Sequence, residues 1–328
     1  MKRIAINGMG RIGRASVKII LDNPEFELVG VNDIADIENI AYLLQYDSVH
    51  GTYEKEVTID KQALIVGGRR IPFYNQRNPA ELPWKALDVD VVIESTGVFT
   101  KEEDAQQHVN AGAKMVVISG PTSSGGVPTI VHGVNTKDGQ NRIISCASCT
   151  TNNISPIIEI IGRRIGIEKA IMTTIHANTS SNNIVDTPSN KFRLGRAGMN
   201  NLIPTTTGAA TATTKAMPQY AGKFDGMAIR VPVTIGSVSD ITIVTTQKTT
   251  KDELNAIFSE EAASDRYQNI IRVTMDPIVS SDIIKDPHAA IIDLEMTKVV
   301  DGDLVKVLAW YDNEWGFANQ MIRQILET

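Results

Sequence analysis

The chain has 328 residues, 42% hydrophobic and 21% charged, with 24 glycines and a net charge of −6. That length exceeds the usual size of one core and predicts about two domains, while the composition excludes a disordered or fibrous chain. A pI near 5.5 and the lack of any strongly basic run give no electrostatic reason to bind nucleic acid or an anionic membrane.

The opening run MKRIAINGMG reaches glycine before any apolar stretch long enough for a signal core. No later segment approaches the roughly 18 apolar residues of a membrane helix, so a cytoplasmic protein is expected by elimination. Residues 3–7, RIAIN, read as a strand that runs into the glycines of GMGRIG and then into the helical pattern RASVKIILDN. FELVGVND (26–33) follows as a second strand ending in Asp33, which completes a β-α-β unit within about 30 residues.

Gly8, Gly10 and Gly13 satisfy G-x-G-x-x-G, and Asp33 lies twenty residues beyond Gly13. Glycines allow a tight turn and let a pyrophosphate approach the backbone, and the helix N-terminus adds partial positive charge and free N–H groups. Asp33 at the next strand end suits the hydroxyls of an adenosine ribose and meets a 2′-phosphate as a like charge, which favours NAD over NADP. The alternative is a bland strand-turn-helix with Asp33 as a turn residue.

DVVIEST (90–96) and KMVVISG (114–120) have the apolar centres of buried parallel strands. Beyond about residue 150 the texture changes to longer strands with helices grouped between them, an α+β pattern. The segment GFANQMIRQILET at the end predicts an amphipathic helix. The first 149 residues are therefore expected to form one domain and 150–313 a second.

The two cysteines, Cys146 and Cys149, lie too close together to staple distant parts of a fold, and no histidine or second cysteine pair stands nearby at zinc spacing, so no metal is expected. Cys149 follows Ser148 and precedes Thr150, Thr151 and Asn152 where a helix can open, and a helix N-terminus stabilises a thiolate. Pro156 fits only the first helical turn and predicts a kink in a helix that starts as early as Cys149. Nothing around Cys146 offers activation, and a packing role is expected for it. His176, in IMTTIHANTSSNN, stands at a predicted strand end and carries the side chain best suited to activate sulfur. Its alternative is a histidine merely satisfied at a strand edge.

The run ASCTTN (147–152) resembles the nucleophile signature of glyceraldehyde-3-phosphate dehydrogenases. Further matches follow in order over essentially the whole chain: INGMGRIGR (6–14), YDSVHG (46–51), STGVF (95–99), TTIHA (173–177), PTTTGAA (204–210), RVPV (230–233) and WYDNEWGF (310–317). The resemblance implies an α/β protein with a doubly wound Rossmann domain, completed by the C-terminal helix 314–328, and an α+β catalytic domain with a mixed or antiparallel sheet. It implies Cys149 as nucleophile and His176 as its base, with Thr179 and Arg230 on the substrate phosphate. Ser148, Thr150, Thr207 and Gly208 would hold inorganic phosphate. Gly8, Gly10, Arg11, Ile12, Gly13, Asp33, Arg77, Ser95, Thr96, Ser119 and Asn313 would bind NAD.

The implied activity is NAD-dependent oxidation of glyceraldehyde 3-phosphate to 1,3-bisphosphoglycerate through a Cys149 thioester, in glycolysis and gluconeogenesis, by a homotetramer. The alternatives are an erythrose-4-phosphate dehydrogenase and a non-catalytic NAD-binding regulatory relative. Departures from the family pattern occur at Cys146, Asn153, Asn178, Ser181, Leu194 and Phe317, where the family commonly has asparagine, cysteine, tyrosine, aspartate, arginine and tyrosine.

Overall fold

The computed structural model describes residues 1–136 and 141–328. The chain divides into two compact units, one of Met1–Ile130, Lys137–Ala147 and Met321–Thr328, the other of Val131–Thr136 and Ser148–Gln320. Where the sequence reading cut at 149/150 and at 313/314, these units part at 147/148 and inside the last helix.

In the first unit β1 (Lys2–Asn7) leads into α1 (Arg11–Asp22), β2 (Phe26–Asn32) and α2 (Ile37–Gln45). A small excursion, β3 (Val57–Ile59), β4 (Ala63–Val66) and β5 (Arg69–Tyr74), precedes β6 (Val91–Glu94), α3 (Glu102–Asn110), β7 (Met115–Ile118) and β8 (Ile143–Ser145). These strands make one sheet in the order β3-β4-β5-β2-β1-β6-β7-β8. From β5 to β8 every pairing is parallel, and β3 and β4 extend the edge as an antiparallel hairpin.

The strand order reverses at β1, since β2 lies on one side of it and β6 on the other. At such a switch the connections leave in opposite directions and open a crevice beyond the carboxyl ends of the strands, where Asn7, Asn32 and Glu94 stand. Ile4, Ile6, Val31, Val92 and Ile93 are buried, as expected for strands covered on both faces.

The second unit holds α4 (Cys149–Arg164), β9 (Ile167–Ala177), β10 (Ile203–Thr206), α5 (Ala209–Ala216), β11 (Phe224–Val231) and β12 (Ser237–Thr245). It continues with α6 (Lys251–Ala262), β13 (Ile271–Thr274), β14 (Ala290–Val300) and β15 (Leu304–Tyr311). The sheet order is β10-β11-β9-β12-β15-β14-β13. It is mixed, with β9–β11 and β13–β14 parallel and the other pairings antiparallel. Burial alternates along β12, so one face of the sheet meets the core. Ile154, Ile157, Ile158 and Ile161 of α4 pack there with Ile241, Ile243, Val305, Val307 and Phe258.

The helix α7 (Trp315–Leu326) closes the chain, and the Lys2 ammonium donates to the Ile325 carbonyl at 2.6 Å, tying the helix end to β1 of the same unit. The helix α4 contains the proline that the sequence singles out. That helix opens at Cys149 and runs on through Pro156. The missing N–H and ring clash cost about 3 kcal/mol in a helix interior. Burial of four isoleucine side chains at about 1.5–3 kcal/mol each outweighs that cost.

Candidate active site

In the first unit a cleft of about 280 Å³ is lined by Asn7, Gly8, Gly10, Asn32, Asp33, Ile34, Gln76, Arg77, Ser95, Thr96, Val98 and Phe99. The three glycines answer three different demands. Gly8 has φ +98°, and a Cβ there would stand 2.6 Å from the Thr96 nitrogen. A Cβ on Gly13 would stand 2.0 Å from the Gly8 carbonyl oxygen, so the helix is pressed against the turn. At Gly10 a Cβ would meet nothing within 4 Å, which leaves open space at the start of α1.

No side chain caps α1 and its first turn holds no acidic residue, so the orphan N–H groups and the positive end of the helix dipole are left for an anion. The Asp33 carboxylate is fixed by the N–H groups of Met9 (2.6 Å) and Ala35 (2.9 Å). The Ser95 hydroxyl donates to the Gly8 carbonyl at 2.7 Å, holding the glycine turn. These features fit a dinucleotide: an open anion seat, a carboxylate at the next strand end, and a turn that tolerates no added carbon.

Arg11, Ile12 and Ser119 lie outside the lining of this cleft. The Arg11 guanidinium pairs with Asp47 at 2.7 Å. Burial would raise the Asp47 carboxyl, but the N–H groups of His50 and Val49 and the Arg11 charge hold it down at about 2. The Ser119 N–H donates to the Glu94 carbonyl at 2.9 Å. Sequence reasoning missed Asn7, Asn32, Gln76 and Phe99. The signal was a polar residue closing each of two apolar strands.

In the second unit Ser148 caps α4, its Oγ accepting from the Thr151 N–H at 3.1 Å, and Cys149 is the first helical residue. The Cys149 Sγ lies 3.4 Å from the His176 Nε2. His176 is buried near the end of β9, and its Nδ1 is 2.7 Å from the Ala177 carbonyl oxygen. Arg230 sits directly opposite His176 in the parallel pairing of β11 with β9. Its Nη1 lies 2.6 Å from the His176 Nδ1 and 3.0 Å from the Ala177 oxygen.

Nδ1 thus meets two opposite demands. The carbonyl requires a proton on it, whereas the guanidinium can only donate and requires its lone pair. Only the tautomer with the proton on Nδ1 leaves Nε2 able to accept from the thiol.

Behind this pair the Tyr311 hydroxyl joins the Thr150 hydroxyl (2.9 Å) to the Thr174 hydroxyl (2.8 Å), and the Tyr311 ring stands edge-on to His176. Asn313 is buried, its Oδ1 accepting from Ser237 at 3.0 Å. Thr179 shares a hydrogen bond with Ser181 at 2.9 Å. Thr207 and Gly208 open α5, with the Thr207 Oγ1 accepting from the Ala209 N–H.

The structure brings together Cys149, His176, Arg230 and Thr150. No hydrogen bond among the described residues joins Thr179, Thr207 or Gly208 to them. Tyr311 and Thr174 were not singled out in the sequence, though Tyr311 lies inside WYDNEWGF. Among the departures, Asn153 is buried and donates to the Ala289 carbonyl at 3.2 Å, and the Asn178 amide reaches the Met199 sulfur. Leu194 lies in the single turn Phe192–Gly195, and Phe317 is buried in α7.

Burial pushes the Cys149 thiol up, against the Thr150 hydroxyl, the Arg230 charge and the backbone N–H groups of Thr150 and Cys149, which pull it down. Burial, aided by the Arg230 charge, pushes His176 down to about 4, against the hydrogen bond to Ala177. Both shifts favour the uncharged forms of the pair. Moving the proton from Sγ to Nε2 creates opposite charges 3.4 Å apart. Their attraction of roughly 5 kcal/mol at an effective dielectric near 20 offsets much of the burial cost. Burial pushes the Cys146 thiol up to about 12.

The depressed His176 value has a consequence for stability. An unfolded histidine takes up its proton near pH 6.5, whereas the folded one resists down to about 4, so the unfolded state binds more protons in that window. The contribution is complete above pH 6.5 and is lost as the pH falls to 4, by about 3 kcal/mol. Unfolding at pH 7 and pH 4.5 is expected to show a drop about 2–3 kcal/mol larger for the parental chain than for His176→Asn. Equal drops in both would place the histidine outside a buried site.

Comparison with known proteins follows the same division. Residues 2–102 match the glyceraldehyde 3-phosphate dehydrogenase NAD binding domain, and residues 148–313 match the C-terminal domain of the same family. Glyceraldehyde-3-phosphate dehydrogenase 2 of Streptomyces avermitilis is 46% identical over 324 residues, covering 98% of this chain and 96% of that protein. Glyceraldehyde-3-phosphate dehydrogenase 1 of Kluyveromyces lactis is 43% identical, covering 98% of each chain. Glyceraldehyde-3-phosphate dehydrogenase 1 of Bacillus subtilis is 42% identical, covering 98% of this chain and 96% of the relative.

Proposed function

Because the chain belongs to the glyceraldehyde-3-phosphate dehydrogenase family, we propose that it oxidises D-glyceraldehyde 3-phosphate with NAD and inorganic phosphate to 1,3-bisphosphoglycerate, in glycolysis and gluconeogenesis. The observation that carries this reading is the thiol at the first position of α4, 3.4 Å from the one imidazole nitrogen able to take its proton.

His176 Nε2 takes the Cys149 proton as Sγ forms a bond to the aldehyde carbon. The resulting alkoxide is stabilised by the Cys149 backbone N–H, one of the orphan donors of α4, and by the imidazolium. NAD, when bound, supplies the acceptor for the hydride that leaves this carbon. Loss of that hydride leaves a thioester on Cys149, which conserves the energy of oxidation. A phosphate oxygen then attacks the thioester carbonyl, the C–S bond breaks, and the thiolate leaves to the helix N-terminus that favours it.

Arg230 and Thr179 would hold the substrate's own phosphate. Drawing Arg230 toward that anion removes its claim on the His176 Nδ1, which can then donate to Ala177 and free Nε2 as the base. Ser148, Thr150, Thr207 and Gly208 would serve inorganic phosphate. The Thr150 hydroxyl is buried against Tyr311, so its backbone N–H is the donor available for that role. Gly8, Gly10, Gly13, Asp33, Arg77, Ser95 and Thr96 would hold the dinucleotide, with Arg11, Ile12, Ser119 and Asn313 completing the set.

A cytoplasmic homotetramer belongs to the same proposal. Among the described residues no helix is long and apolar enough to cross a membrane. Ile184 (81% exposed) and Phe192 (88%), with Val185 and Leu202, give the segment after β9 an apolar surface that a second subunit would cover.

The test is NADH formation from glyceraldehyde 3-phosphate with and without inorganic phosphate. Steady turnover is expected only with phosphate, and NADP is expected to substitute poorly because Asp33 repels its 2′-phosphate. Turnover indifferent to phosphate would replace acyl transfer by hydrolysis. Erythrose 4-phosphate as the faster substrate, or NAD binding without any turnover, would move the reading to a relative.

A further inference from the structure

Trp84, His108, Glu94, Asn7 and Asn32 are all buried within the first unit, none more than 3% exposed. Polar side chains in such a place destabilise the fold unless they find partners. Here they form one connected chain. The Trp84 indole N–H donates to the His108 Nδ1 at 2.9 Å. An indole nitrogen can only donate, so Nδ1 carries the lone pair and Nε2 the proton. Nε2 then donates to the Glu94 Oε2 at 3.0 Å, and the Asn7 amide donates to the same oxygen at 2.6 Å. The other carboxylate oxygen receives the Thr96 N–H at 2.8 Å and the Thr96 hydroxyl.

From Asn7 the chain continues. Its Oδ1 accepts from the Asn32 amide at 2.6 Å, and Asn32 in turn grips the Gln76 backbone, accepting from its N–H at 2.8 Å and donating to its carbonyl at 2.9 Å. Asn7, Asn32, Gln76 and Thr96 line the cleft, whereas Glu94, His108 and Trp84 do not. Thr96 is also the backbone on which the Gly8 turn rests. A network serving stability alone would be replaceable by well-packed apolar residues at little cost. This one ends at the cleft wall at both Thr96 and Gln76.

We propose that His108, which lies outside the cleft lining and bonds Glu94, with the Asn7 amide 3.3 Å from its Nε2 and the Phe99 ring edge-on to it, is a positioning residue for the cofactor: it holds the carboxylate that sets Thr96, Asn7 and, through Asn32, the Gln76 backbone in the geometry NAD requires. The inference rests on the proposed placement of NAD in this cleft.

Equilibrium titration of the full-length protein with NAD tests it, alongside kcat at saturating NAD and thermal unfolding. His108→Leu and Glu94→Gln are expected to weaken NAD about tenfold with kcat within about twofold of parental. His108→Gln, which still carries an N–H toward Glu94, is expected to restore affinity to within about threefold. Glu94→Gln keeps the side-chain volume and decides the matter if His108→Leu does not fold. Asp33→Ala tests the placement itself. If it weakens NAD while the folded Glu94 and His108 variants bind as the parental chain does, the positioning role is overturned and the placement stands. If Asp33→Ala binds normally, the placement falls and the inference with it. A drop in unfolding temperature with unchanged NAD affinity, or a loss of kcat that His108→Gln does not repair, would likewise reduce the network to a structural one.

Discussion

Cys149→Ala is expected to abolish both the burst of NADH and the acyl-enzyme mass increment, with turnover falling on the order of 10⁴-fold or more, while NAD still binds. No second thiol can take over its role. The chain has one further cysteine, Cys146, which is buried and whose thiol is pushed up to about 12, so it offers neither access nor thiolate. Alanine is the best helix former and the Ser148 cap is untouched, so α4 should still open where it does. The residues lining the nucleotide cleft all belong to the other compact unit and keep their partners. Intact-mass measurement after mixing with glyceraldehyde 3-phosphate and NAD, without phosphate, separates the outcomes. The parental chain should gain one acyl group, and persistence of that gain in the alanine variant would remove Cys149 from the chemistry.

Features written locally in the chain were legible before any coordinates. G-x-G-x-x-G needs only a strand, a turn and a helix in succession, and Asp33 takes its place because the next strand ends there. Cys149 at a helix start follows from Ser148, whose hydroxyl caps the backbone three residues on. Partners brought together by tertiary structure were not legible. Arg230 and His176 are 54 residues apart and meet only because β11 pairs with β9 in that register. Tyr311 reaches Thr150 across 161 residues. Nothing in the sequence singles out Glu94 and His108, which lie 14 residues apart and meet where packing buries both. At Pro156 the local preference of the ring is weaker than the burial that carries α4 through it.

His176→Asn is expected to slow acylation of Cys149 by about 10²–10⁴-fold, the usual share of a positioned acid-base group. Asparagine on β9 can still donate to the Ala177 carbonyl, so the strand end and the neighbouring Arg230 should keep their places. What disappears is the acceptor 3.4 Å from Sγ. Without it the thiol is left with the burial that pushes it up, and the remaining help comes from the Thr150 hydroxyl, the Arg230 charge and the first N–H groups of α4. Alkylation by iodoacetamide should therefore shift to higher pH in the variant and lose any plateau at neutral pH, because only free thiolate then reacts. Since iodoacetamide needs neither NAD nor substrate, this rate reports the Cys149–His176 pair alone. A parental pH profile carried over unchanged into His176→Asn would mean that the helix and Arg230 suffice to ionise the sulfur. An unchanged acylation rate would go further and deny His176 any part in moving the proton, leaving the imidazole only a packing role beside Tyr311.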